Sequence, residues 1–224
     1  MNLIHTVYQP AGPGPHPTIL TLHGRGANAF DLLGLAPYIG GGKFLIISPQ
    51  APIETPIGPQ AVGYAWYGAS AGGVPDIEGM LTSLSVLQLF VDDCFKRYDL
   101  DPTRLAVLGF SQGGVMAYSL ALTHPQRFAG LAALSTWLPR ELTPRLAISA
   151  AVQSLPTLIQ HGIQDPQIEI ARARDSVERL RDLKVPLIFQ EYEMGHEISP
   201  RGLDVLSAWL EETVRGRVAA PPAD

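Results

Sequence analysis

Leu105-Ala-Val-Leu-Gly-Phe-Ser-Gln-Gly-Gly-Val-Met-Ala-Tyr-Ser-Leu120 is the stretch that decides how this chain folds. Leu105 to Leu108 is a short apolar run that stops at a glycine, the pattern of a buried strand. Val115 to Leu120, continuing through Leu122, reads as a helix. Between them, Gly109-Phe110-Ser111-Gln112-Gly113 has the form G-x-S-x-G. A strand that passes directly into a helix must turn sharply, and the residue at the turn takes a strained backbone conformation with its side chain exposed. Side chains two residues to either side of the turn would collide, so both positions are glycine. The pentapeptide alone recurs by chance; the strand before it and the helix after it give it weight.

Working outward, the same alternation continues. Leu3 to Tyr8 alternates as an edge strand, and Pro10 to Pro15 is a Pro/Gly turn. Thr18 to Leu22 is a buried strand ending at His23-Gly24-Arg25-Gly26. A helix is expected over Ala29 to Ile39 and a strand over Phe44 to Ser48. Residues 49–75 hold much of the Pro and Gly, with Tyr64, Trp66 and Tyr67, and read as a long functional loop. Pro75 and Asp76 signal the start of a helix from Ile77 to Tyr98, one face of which carries Met80, Leu81, Leu84, Leu87, Val91, Cys94 and Tyr98. Later strands are expected at Leu131–Leu134, Thr157–Gln160 and Leu187–Tyr192. Helices are expected around Ile170 to Leu180 and from Pro200 to Val214. Strands that are uninterrupted apolar runs alternating with helices predict an α/β fold: a mostly parallel sheet with helices on both faces. In such sheets ligands bind beyond the carboxyl ends of the strands. One domain over residues 1–224 is expected, with an Ala/Pro-rich frayed tail at 216–224.

A serine hydroxyl becomes a strong nucleophile only when a base takes its proton. In this type of fold the order along the chain is Ser, then Asp or Glu, then His. Of six histidines, only His161 and His196 follow Ser111 at the end of a strand. His161 leaves only Glu141, set among prolines, as an intervening acid, so His196 is the expected base. His23 and His161 are expected to orient their loops by hydrogen bonds. Among the acids between Ser111 and His196, Asp165 stands just after a strand, in His161-Gly-Ile-Gln-Asp-Pro166, and is the expected orienting carboxylate. Asp175, Glu178 and Asp182 read as a solvated helix face. The backbone N–H groups of Gln112 and Arg25 are the expected oxyanion donors.

Together these segments resemble the phospholipase/carboxylesterase family, which includes bacterial carboxylesterases and acyl-protein thioesterases. The resemblance rests on Leu22-His-Gly-Arg-Gly-Ala-Asn28, Gly109-Phe-Ser-Gln-Gly-Gly114, Leu134-Ser-Thr-Trp-Leu-Pro139, His161-Gly-Ile-Gln-Asp-Pro166 and Gly195-His196, in that order. It spans about Thr18 to Leu210. It implies an α/β-hydrolase core without a large lid domain and the same Ser111, Asp165 and His196. It also implies acyl-site contacts from Trp66 and Leu138, and from Trp137 in the same loop. Two positions depart from the family pattern and bear on substrate preference: Gly68, where relatives carry an acid, and Gln167, where they carry an apolar residue.

The expected reaction is hydrolysis of short- to medium-chain carboxylic esters through an acyl-enzyme, with no metal and no cofactor. Hydrolysis of longer acyl thioesters or lysophospholipids is the alternative, and a catalytically silent binding protein is the remote one. The formal net charge of -5 argues against a nucleic-acid partner. No apolar run reaches the roughly 18 residues of a membrane span, so no integral membrane association is expected. The single cysteine, Cys94, allows no intrachain disulfide and reads as a small core residue. Met1 to Pro10 has neither a basic stretch nor an apolar h-region, which makes the cytoplasm the default location. Either a monomer or a homodimer suits these features.

Overall fold

The computed structural model describes residues 3–68 and 74–215; the expected frayed tail lies outside them, as does part of the 49–75 segment. Nine strands are described: β1 (His5–Tyr8), β2 (His16–Leu22), β3 (Leu45–Pro49), β4 (Ile53–Gly58), β5 (Ala61–Ala65), β6 (Leu100–Phe110), β7 (Gly130–Leu134), β8 (Thr157–Gly162) and β9 (Leu187–Tyr192). Four α-helices accompany them: α1 (Ile77–Arg97), α2 (Gln112–Thr123), α3 (Ile170–Asp182) and α4 (Pro200–Leu210). Seven strands form one sheet in the order β1-β3-β2-β6-β7-β8-β9. β1 runs antiparallel to β3 at one edge, and every other pairing in this sheet is parallel. This is the mostly parallel α/β architecture expected, with no lid domain among the described residues.

The central strands are buried on both sides, and their side chains alternate between two cores. Leu20, Leu22 and Val107 face one core, which α1, α2 and α3 supply with Met80, Leu87, Val115, Leu120, Val177 and Leu180. Ile19, Ala106 and Leu108 face the other, closed by Leu206 and Leu210 of α4 and by Leu32, Ile39 and Phe44. Each such side chain removed from water stabilises the fold by about 1.5–3 kcal/mol. Two of the four described α-helix starts carry a side-chain cap. Asp76 Oδ1 accepts the N–H of Gly79 at α1 (3.0 Å), and Ser199 Oγ accepts that of Gly202 at α4 (3.1 Å).

Three expectations change. The helix expected over Ala29–Ile39 is a pair of short 3-10 turns, Leu32–Leu35 and Gly40–Gly42. Pro37 removes a donor there, and Gly40, Gly41 and Gly42 all take positive φ, which breaks the α-helical ladder. The long 49–75 segment contains an antiparallel hairpin, β4–β5, in place of structureless loop. The last helix ends at Leu210 and continues as a π turn over Glu211–Arg215.

The parallel strands bring the expected residues to one edge of the sheet. β2 ends at His23-Gly24-Arg25, β6 at Ser111, β7 at Ser135-Thr-Trp137, β8 three residues before Asp165, and β9 four residues before His196.

Candidate active site

Ser111 is the residue between β6 and α2, with φ 52 and ψ −119, a conformation that costs a non-glycine residue of order 1–3 kcal/mol. It persists because its neighbours over-determine it. Its N–H donates to Leu134 O (3.0 Å), and its carbonyl accepts Thr136 Oγ1 (2.7 Å) and the N–H of Gly114 (2.9 Å). The glycines around it are required by close approach. A Cβ on Gly109 would lie 2.3 Å from Gly113 O, and one on Gly113 would lie 2.0 Å from Leu22 O.

Asp165 and His196 meet. His196 Nδ1 donates to Asp165 Oδ2 over 2.7 Å, with the carboxylate fully buried and the ring nearly so. That bond leaves Nε2 of His196 as the proton-accepting nitrogen. Asp165 Oδ1 accepts the N–H groups of Gln167 (2.8 Å) and Ile168 (2.9 Å). Burial opposes the carboxylate's ionisation, but the Ile168 N–H, His196 and the Gln167 N–H outweigh it and hold Asp165 below its ordinary pKa. The His196 ring lies against Phe110, the residue before Ser111, with centroids 4.9 Å apart. Among the described residues no hydrogen bond joins Ser111 Oγ to His196, a gap common in enzymes without substrate.

The two other strand-end histidines sit as loop anchors. His161 is fully buried; its Nε2–H donates to Ile168 O (2.8 Å) and lies 3.3 Å from Asp165 Oδ2. It thus stiffens the loop that presents Asp165. His23 donates from Nδ1 to Gly24 O (2.7 Å) and accepts the Ala51 N–H at Nε2 (3.1 Å). Burial pushes its pKa down, which suits this neutral donor–acceptor role.

The loop after β2 reaches the elbow: a Cβ on Gly24 would stand 3.4 Å from Ser111 Cβ. Among the described residues, neither the Arg25 nor the Gln112 backbone N–H has a hydrogen-bond partner. Both are donors free to meet a ligand. The Arg25 side chain points its donors elsewhere, to Thr55 Oγ1 (3.0 Å) and Tyr67 O (3.4 Å).

Trp66 and Leu138, expected at the acyl site, have no exposed surface. Trp66 is instead a strut behind the elbow. Its N–H donates to Gln112 Oε1 (2.7 Å), and its indole N–H donates to His23 O (2.9 Å). Gln112 Nε2 completes the clamp on Tyr67 O (2.9 Å). The Leu138 N–H donates to Ser176 Oγ of α3 (2.8 Å), which buries its side chain in the core. Trp137 is half-buried and lines a cleft of about 340 Å³ with Pro75, Arg140, Glu141, Arg172 and Asp175. Gly68 is explained by Asp76: its N–H donates to Asp76 Oδ2 (2.8 Å), and a Cβ there would lie 2.8 Å from that oxygen.

Sequence reasoning missed Ser135. It is fully buried with φ 45, and its N–H donates to Gln160 O (2.8 Å) while its Oγ donates to Glu197 O (3.0 Å). One residue therefore ties the end of β7, whose Leu134 carbonyl accepts the Ser111 N–H, to β8 and to the His196 loop. The positive φ of a non-glycine residue at a strand end has no local sequence signal.

The chain has relatives in sequence and in fold among known proteins. A family model described as Phospholipase/Carboxylesterase matches residues 4–214. Acyl-protein thioesterase 1 of Gibberella zeae is 27% identical over 223 residues, covering 91% of this chain and 93% of that protein. Among solved structures, esterase PE8 superposes with a TM-score of 0.81 at 26% identity, covering 95% of this chain and all (100%) of that one. The Bacillus cereus carboxylesterase superposes with a TM-score of 0.79 at 20% identity, covering 94% of each chain, and shares the fold.

Proposed function

The chain belongs to the phospholipase/carboxylesterase family, and from that premise we propose that it is a serine hydrolase of carboxylic esters, working through an acyl-enzyme on Ser111. The observation that carries this reading is the buried Asp165–His196 bond at the same sheet edge as the strained serine. Ser111 Oγ attacks the ester carbonyl while His196 Nε2 takes its proton. Asp165 holds the ring in the Nδ1–H form and stabilises the imidazolium that results. The oxyanion accepts the Gln112 and Arg25 N–H groups, each such donor contributing about 3–4 kcal/mol in comparable sites. The tetrahedral intermediate collapses, the C–O bond breaks, and His196 returns its proton to the leaving alcohol. Water then repeats the sequence on the acyl-enzyme and releases the acid. Trp137 and its cleft supply the wall for the acyl chain.

Thioester hydrolysis by the same groups is the second reading, favoured by the thioesterase relative. A kcat/KM series over p-nitrophenyl esters of increasing chain length, run beside an acyl thioester, decides between them. The ester reading expects a maximum at short to medium chains and a weaker thioester rate. A thioester rate dominating every ester would transfer the assignment. Equal turnover by Ser111→Ala would remove it altogether.

A further inference from the structure

We propose that Arg172 makes the site selective for esters whose acyl chain ends in a carboxylate; this deepens the hydrolase reading above and rests on it. The cleft beside Trp137 is charged where an acyl-chain groove would be apolar. Its walls are tied to the reacting groups. Thr136, next to Trp137, holds the Ser111 carbonyl, and α3, which carries Arg172, begins two residues after Ile168, whose N–H holds Asp165. The two walls are stitched together by Leu138 N–H to Ser176 Oγ and by Arg179 to Leu138 O.

Most of the charge in this cleft is already balanced. Arg140 and Arg179 both pair with Asp175, and the field of Glu141 acts on Arg140 as well. Arg172 has no ion-pair partner among the described residues. Its guanidinium instead lies over the Trp137 ring, 4.6 Å from the centroid. That contact uses up no N–H donor, and among the described residues the guanidinium N–H groups have no acceptor, so they are available to grip a carboxylate through two bonds. The indole face, Pro75 and Ala171 give methylenes an apolar bed. A volume of about 340 Å³ is at the small end of ligand sites and suits a chain of roughly six to eight carbons. Arg172 is exposed, so its effect is at the modest end for a charged contact and fades with salt.

The test compares kcat/KM for the p-nitrophenyl monoesters of adipate and suberate with those for hexanoate and octanoate esters at low ionic strength. Arg172→Ala is expected to lower the anionic-to-neutral ratio by about two- to fivefold, and 0.5 M NaCl to lower the wild-type ratio in the same direction. Arg172→Lys, which keeps the charge but loses the fork, is expected to fall between. Arg174→Ala, which removes one positive charge from a different face of α3 where Arg174 pairs with Glu191, is expected to keep the wild-type ratio. A ratio unchanged in Arg172→Ala, or lowered equally by Arg174→Ala, overturns the proposal while leaving the hydrolase reading standing. If neither ester turns over and a fluorophosphonate does not label Ser111 in the wild type, the hydrolase reading itself fails and this one falls with it.

Discussion

Replacing Asp165 by Asn isolates what its charge does for His196. Oδ1 of Asp165 already accepts two backbone N–H groups, from Gln167 and Ile168. An asparagine must therefore keep its carbonyl oxygen in that position and place its NH2 where Oδ2 now meets His196 Nδ1. Two donors then face each other across 2.7 Å. The cheapest escape is for His196 to move its proton to Nε2 and accept from the amide. In that form Nε2 has no lone pair for the Ser111 proton. A wrong tautomer of this kind costs about a thousand- to ten-thousandfold in kcat in a comparable triad, or about 4–5.5 kcal/mol at 1.36 kcal/mol per decade. The stability loss is smaller. The backbone bonds to Oδ1 survive, and the new amide meets the His161 Nε2–H that stands 3.3 Å from Oδ2, a mismatch of about 1–3 kcal/mol. Steady-state hydrolysis of p-nitrophenyl hexanoate and a thermal melt, both at neutral pH, separate the two effects. An Asp165→Asn protein that melts cooperatively and keeps more than a tenth of wild-type kcat would refute this account of His196.

Three further outcomes follow from the same geometry. Gly113→Ala places a Cβ about 2.0 Å from Leu22 O and 2.5 Å from His23 O, backbone atoms that cannot give way, so the variant is expected to lose several kcal/mol and to appear mainly in the insoluble fraction. Ser135→Ala strips the donor from Glu197 O and is expected to cost about 1–3 kcal/mol in stability. It should also lower kcat more than it raises KM, because it loosens the His196 loop; an unchanged kcat would mean that the bond does not position the base. His23 is held neutral by burial, with its pKa below the ordinary 6.5. The unfolded chain then binds a proton that the folded one refuses, so the stability His23 contributes is present above that ordinary value and declines as the pH falls below it. Melting temperatures across this window are expected to drop toward acid, with a shallower slope in His23→Gln.

The parallel sheet was legible because its central strands are short, mostly apolar runs, as at Leu105–Leu108, which stops at Gly109, and because burial on both faces leaves little room for polar residues. Chain order together with a place just beyond a strand singled out Asp165 and His196, whose side chains meet. Three features resisted reading. The Ala29–Ile39 segment has helical apolar spacing, but Pro37 and the following glycines prevail locally. The β4–β5 hairpin hides behind Pro56 and its glycines, and its place depends on a distant contact, Tyr64 N–H to Ala27 O (2.9 Å). Trp66 looked like a pocket wall because it is aromatic and sits in a loop. Its burial is decided by the Gln112 amide, 46 residues away, which no local pattern reveals.

The central claim is that Ser111 is the nucleophile, and covalent capture tests it most directly. The full chain is incubated with a fluorophosphonate and the modified peptide is located by mass spectrometry, beside Ser111→Ala and His196→Ala. The account predicts one adduct, on Ser111, absent from the first variant and strongly slowed in the second. A folded wild-type protein that stays unlabelled, or that carries its adduct on another residue, would contradict it.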